Sequence, residues 1–184
     1  AVHAGSAAEL GLDHMPSFAG VYPLSHPFAQ MQQLTSMMIH GVFERFPRLR
    51  VAFLEAGCGW VPYLMHRLQE SWEHRLDRWP YQARRSPKEI MRGGNLFYSC
   101  EIGEETLPTV AELMGRTQLL WPSDFPHEKP WDEFSGDLDA FIGRDDLTEA
   151  TARQILWDNP CRLYGLSKEK LSDHGPSEQK HTAA

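Results

Sequence analysis

Three cysteines in 184 residues, Cys58, Cys100 and Cys161, are odd in number and lack CxxC spacing, which excludes a disulfide framework and a structural zinc knot. Free cysteine packs as a small buried side chain, and all three are read that way rather than as catalytic thiols. Also missing is any run near the roughly 20 apolar residues that cross a bilayer. No basic start followed by an apolar segment marks a secretion signal. These absences leave no membrane partner and make the cytoplasm the expected address. Positive charge is scarce as well, because 18 Lys and Arg stand against 25 Asp and Glu, a formal net charge of -7. The basic residues are scattered rather than striped, so the chain offers no footprint for a phosphate backbone and nucleic acid is excluded as a partner.

Hydrophobic residues make up 41% of the chain, enough to build the core of one globular domain. The chain opens without an initiator Met, inside the apolar, strand-like Ala1-Val2-His3. That start reads as a fragment, since mature domains usually begin in exposed polar surroundings. Residues 4 to about 28 are rich in Gly, Pro, Ser and His without a sustained period, and a long loop is expected. Phe28, Met31, Leu34, Met38, Val42 and Phe46 then recur at three- and four-residue steps, a helical stripe that Pro47 ends.

RVAFLEAG, residues 50–57, reads as a buried parallel strand that exits through Gly57-Cys58-Gly59. From Trp60 to Trp79 the spacing is helical again through Leu64, Leu68, Trp72 and Leu76. A basic turn, Ala83 to Lys88, leads to the aromatic strand candidate NLFYSCE, residues 95–101. Leu107, Val110, Ala111 and Met114 predict a helix that closes at Gly115. QLLWPSDFP supplies one more strand, and two helices are predicted, one around Phe134 to Ile142 and one from the N-cap Thr148 to Trp157. Residues 167–184 have almost nothing to bury, so a polar flexible tail is expected on a domain of residues 1–166.

Strands alternating with helices of this length make an α/β domain with a parallel sheet. His3, Glu55, Glu101 and Asp124 all fall at or near predicted strand ends. A neutral imidazole and a carboxylate held at strand mouths are what a hard or borderline divalent metal takes as ligands. The motifs VHAG, GVFERFPRLRVAFLEAGCGW, SDFPHEKPW and ILWDNPCRLYGL, in that order, resemble the amidohydrolase-related family. That family includes metal-dependent hydrolases and decarboxylases of the aminocarboxymuconate-semialdehyde type. The resemblance runs to Leu166 and corresponds to the C-terminal half of the family's domain. It implies a partial (β/α)8 TIM-type barrel, approximately strands five to eight with their helices and with His3 at the mouth of the fifth. A whole barrel needs about 250 residues. The expected partner is therefore a missing N-terminal half or a second copy in a homo-oligomer, besides a small-molecule substrate.

Carried over residue by residue, the resemblance makes His3 the fifth-strand metal ligand. Asp124 becomes the eighth-strand aspartate that binds metal and activates its water. Glu55 departs from the decarboxylase branch, which has a histidine in an AHGGG-like turn where this chain has LEAGCGW. A carboxylate there serves as metal ligand or general base, or else as a buried acid capping the following helix. His127, His26 and Glu101 are candidates for substrate contact. The implied cofactor is a divalent metal, zinc before manganese. The family's HxH or ExH pattern of the first strand does not occur, so weak metal binding is expected. The favoured reaction is hydrolysis of a carbonyl-type bond by metal-activated water, because Glu55 replaces the decarboxylase histidine. The alternatives are a metal-dependent decarboxylase and a catalytically silent half-barrel serving as an assembly module. His14, His40, His66, His74, His174 and His181 read as surface residues, and Trp60, Trp121 and Trp131 as core packing before pocket wall.

Overall fold

Three short parallel strands, β1 (Val51–Phe53), β2 (Leu96–Ser99) and β3 (Leu119–Leu120), lie side by side in that order. Val51, Ala52 and Phe53 pair with Leu96, Phe97 and Tyr98, and Tyr98 and Ser99 with Leu119 and Leu120. On the far side of β1 the chain start joins through a parallel bridge between Val2 and Phe53. There the Val2 N–H donates to the Ala52 carbonyl at 2.7 Å and the Leu54 N–H to the Val2 carbonyl at 3.0 Å. Running one way, all four segments end at one edge, and His3, Glu55, Glu101 and Asp124 follow those ends. This computed structural model describes residues 1–3, 10–75, 79, 84–125, 127 and 133–167. Leu76, Ala83, Trp131, His174, His181 and the tail from residue 168 onward lie outside the described residues.

Both faces of the sheet are apolar, which is why the strands read as unbroken hydrophobic runs. Val51, Phe53, Leu96, Tyr98 and Leu119 turn to the main core. Helices α1 (Phe18–Ile39), α3 (Trp60–Arg75), α4 (Pro87–Arg92) and α5 (Leu107–Met114) supply much of the rest of it. Ala52, Phe97 and Leu120 turn the other way and meet Leu54 and Leu163 in a smaller cluster. That second face stays partly open as a groove of about 540 Å³ walled by Leu54, Leu120, Trp121, Leu163 and Tyr164. No helix among the described residues is long and apolar enough to cross a membrane.

Helix α1 begins at Phe18, where a loop to about residue 28 was expected. Pro23 and Pro27, four apart, fall on one face, so the missing N–H groups are confined to that side, and Ser25 Oγ donates to the Tyr22 carbonyl at 3.2 Å. The expected stripe also breaks. The helix stops at Ile39, Gly41 adopts φ +66°, and a separate turn α2 (Val42–Arg45) follows. Leu34 and Met38 are buried, while Phe28 and Phe46 are exposed. Helix α4 replaces the second half of the expected basic turn. Ser86 accepts from the Glu89 N–H, and the Glu89 side chain accepts from the Ser86 N–H, closing a capping box on a Pro first turn.

Helix α6 (Phe134–Ile142) lies where its pattern placed it. Thr148 caps α7 (Glu149–Arg153) by accepting from the Thr151 N–H at 3.2 Å. The chain does not stop at Trp157. It passes through a π turn, Gln154–Asp158, into α8 (Asn159–Tyr164), where Pro160 occupies the first turn and needs no partner. Buried Asn159 ties α8 to the sheet by donating to the Arg116 and Leu119 carbonyls, both at 2.7 Å. Cys58 and Cys100 are buried as expected, whereas Cys161 is only partly so; none is bonded to another. Trp60 packs edge-on against Phe53 and Tyr98, and Trp121 leans on Phe141. His14, His40, His66 and His74 are exposed.

Candidate active site

Just past β1, Glu55 turns its carboxylate onto the first residues of the chain. His3 Nε2 lies 2.7 Å from Glu55 Oε2, an ion pair whenever the imidazole carries its second proton. The Glu55 N–H is held by Ser99 Oγ at 2.9 Å, so β2 fixes the turn that aims the carboxylate. His26, on α1, stands edge-on to His3 with ring centroids 6.2 Å apart, and its Nδ1 meets Ser25 Oγ at 3.1 Å. Beyond β3, Asp124 Oδ1 lies 3.3 Å from His127 Nδ1, and the His127 N–H donates to the Asp124 carbonyl at 2.7 Å. Among the described residues the rim thus holds two histidine–carboxylate pairs, one at each end of the sheet.

Glu55 at φ +63° and Asp124 at φ +54° are the two non-glycine residues with left-handed backbone among the described residues. Such a conformation is strained for a side chain with a Cβ, and strain of this kind gathers at functional positions. Aspartate tolerates it better than glutamate, because its short side chain bonds its own backbone. Glu101, after β2, sits between the pairs. Glu101 is exposed to solvent; partial desolvation, helped by the charges of Glu104, Asp124 and Glu55, raises its carboxyl above the usual range, against a lowering bond from the Gly57 backbone.

Sequence reading missed Glu104. Its carboxylate accepts from the N–H groups of Cys58 (2.9 Å), Gly59 (2.7 Å) and Glu101 (3.2 Å) and from the Thr106 hydroxyl (3.0 Å). The first two are free donors at the start of α3, so Glu104 is the acid that caps this helix. Glu55 is not, and that alternative for Glu55 is set aside. Proximity to Glu104 also adds to burial in raising both buried thiols, Cys100 to about 12 and Cys58 further, so neither is a nucleophile. The only hint in the sequence was Glu104-x-Thr106 ahead of the Leu107 helix, a spacing with no distinguishing signature.

His3, Glu55 and Asp124 are donors of the kind zinc or manganese takes. Among the described residues, however, no three His, Cys, Asp or Glu side chains gather closely enough to hold an ion. The described rim does not by itself complete a metal site.

A family model described as amidohydrolase matches residues 1–166. The chain belongs to the amidohydrolase family. A 2-amino-3-carboxymuconate-6-semialdehyde decarboxylase from Dictyostelium discoideum is 28% identical over 162 residues, which cover 88% of this chain and 44% of that protein. The structure of 5-carboxyvanillate decarboxylase from Sphingomonas paucimobilis superposes with a TM-score of 0.65 at 16% identity, over 90% of this chain and 49% of the other. A dihydroxybenzoic acid decarboxylase from Polaromonas, solved with bound manganese and an inhibitor, gives 0.58 at 20% identity, over 82% and 43%. The α/β fold with its parallel sheet is therefore that of the amidohydrolase barrels, and the chain spans about half the length of the relatives it matches.

Proposed function

We propose that this amidohydrolase-family chain forms part of the catalytic mouth of an enzyme that removes a carboxylate as CO2 from a small conjugated acid. Its strands then correspond to the fifth to eighth of the (β/α)8 barrel. The similarity to a decarboxylase along 88% of the chain carries this reading. Hydrolysis, favoured from Glu55 alone, has less behind it, since decarboxylases recur among the structural relatives as well.

In decarboxylation the bond to the carboxyl carbon breaks, its electron pair stays on the neighbouring carbon, and a proton must reach that carbon as CO2 leaves. Glu101 suits the donor's role, because it follows β2, the strand between the two histidine–carboxylate pairs, and partial desolvation with the neighbouring carboxylates favours its neutral form. His3 with Glu55, and Asp124 with His127, flank it as groups that orient the substrate and return the proton. His26 borders the His3 side. An apolar face left open as a groove fits a complementary half of the barrel as the expected cover.

A divalent ion, zinc before manganese, belongs to this proposal with His3 and Asp124 as ligands only if donors from outside the described residues join them. The 184-residue chain alone is then expected to retain well under one equivalent after dialysis, read by elemental analysis. The activity test is a panel of small conjugated carboxylic acids and the matching amides, offered to the complete protein with zinc or manganese. CO2 release is expected, abolished by Glu101→Gln; amide cleavage without CO2 would sink the proposal.

A further inference from the structure

Gly57 has a left-handed backbone, φ +61°, and a side chain at either Gly57 or Gly59 would press on the Glu104 carboxylate. A Cβ on Gly57 would meet both Glu104 carboxylate oxygens at 3.3 Å, and one on Gly59 would meet Thr106 Oγ1 at 3.0 Å and Glu104 Oε1 at 3.3 Å. The backbone between them forms a concavity of successive N–H groups at the start of the 16-residue helix α3, an arrangement that binds anions. The chain fills it with its own acid. Cys58 Sγ adds a further contact to Glu104 Oε2 at 3.3 Å, and the Glu101 N–H bonds the same oxygen. Arg144, ion-paired to Asp146, donates to the Glu104 carbonyl at 2.9 Å and to the Ile102 carbonyl at 2.5 Å, fixing the loop from which Glu104 reaches.

Glu104 thus fastens the turn after β1 to the turn after β2, and each turn carries a rim carboxylate three residues earlier, Glu55 and Glu101. Glu55 has a left-handed backbone that its own chemistry disfavours. Ser99 holds its N–H from one side, and the Glu104 anchor at Cys58 and Gly59 holds the same turn from the other. We propose that Glu104 is a positioning residue: by anchoring the Gly57–Gly59 turn it keeps Glu55 in its left-handed conformation with the carboxylate on His3. This rests on the rim being the functional site, but its geometry is measured without substrate.

The experiment is NMR on the isotopically labelled complete protein. In the wild-type protein a nuclear Overhauser contact between the His3 ring and the Glu55 side chain is expected, with the three-bond coupling of a positive φ at Glu55. Glu104→Gln keeps the shape but replaces one acceptor oxygen with an amide that faces N–H groups. With circular dichroism unchanged, amide exchange at Cys58 and Gly59 should rise by about tenfold or more, and the His3–Glu55 contact should weaken by at least half. A helix cap without a positioning role would speed exchange and leave contact and coupling at wild-type values, which overturns the proposal. So does a wild-type protein that lacks the contact. If Glu104→Gln does not fold, Glu104→Asp, with the carboxylate drawn back one methylene, is read the same way. Loss of the contact sustains the proposal, and its retention refutes it. Because no turnover enters, a failure here and a failure of the decarboxylase reading are told apart.

Discussion

The turn after β1 and the turn after β3 offer their carboxylates in the same way: a left-handed backbone, a histidine partner, a place on the rim. Their supports differ. Glu55 is held by Ser99 on its own N–H and by the Glu104 anchor a few residues on. Around Asp124 the described residues show the Phe125 N–H on Ser123 Oγ at 3.3 Å and the His127 N–H on the Asp124 carbonyl. A glutamate needs outside help to stay left-handed, whereas an aspartate supplies part of its own. Among the described residues, the bonds at the first turn reach neighbouring strands and those at the second stay within the turn.

Of the effects that separate the two turns, the largest is expected beyond β3. Asp124→Asn in the complete protein should cut turnover by roughly 10²–10⁴-fold without lowering the melting temperature, the range for losing a positioned acid–base group. Full turnover in that variant would remove Asp124 from the chemistry. Next is pH. The raised Glu101 carboxyl must stay protonated to donate, so turnover should fall about tenfold per pH unit above its raised value. The same group binds its proton more tightly folded than unfolded. Its contribution to stability is therefore largest below the ordinary glutamate value of 4.5 and is lost as pH rises through the folded value. A denaturation series in the wild type and in Glu101→Gln checks the sign.

Smaller effects separate the turns by strain. Glu55→Gly should raise stability by about 1 kcal/mol, because glycine relieves the left-handed backbone and the half-exposed bond to His3 is worth little. Asp124→Gly should gain only a few tenths, roughly, since aspartate already accommodates that region. Equal gains would mean that the two turns are strained alike and that the contrast in support has no energetic meaning. At the outer edge of the fold, Ser86→Ala should cost about 1 kcal/mol through its capping box and leave both turns untouched.

How far the sequence foretold this depended on the range of the interactions involved. Helices α3, α5 and α6 and the Thr148 cap declared themselves through spacing and end residues, which are local signals. The sheet edge was legible too, because a parallel strand buried on both faces leaves a run such as Val51–Phe53 that nothing else explains. Helix α1 was hidden by Pro23 and Pro27, read as breakers although four-residue spacing confines their damage to one face. Helix α4 was legible in Ser86-Pro87-Lys88-Glu89 and was overlooked among basic residues. Glu104 was not legible. Its partners lie 46 and 45 positions away, at Cys58 and Gly59, and a glutamate that bonds backbone N–H groups across two loops leaves no periodic trace. His3, Glu55, Glu101 and Asp124 were placed by the predicted strand ends and lie at one edge, the roles of His3 and Asp124 came through resemblance, and the histidine–carboxylate pairing required coordinates.

The unequal cysteines have a practical use. With Cys58 and Cys100 buried behind the rim, the partly buried Cys161 on α8 is the most accessible of the three thiols for a maleimide dye. A single-site fluorescent derivative should therefore be obtainable from the natural sequence. The dye would stand beside the groove on the sheet's second face, where arrival of a covering polypeptide would change its emission.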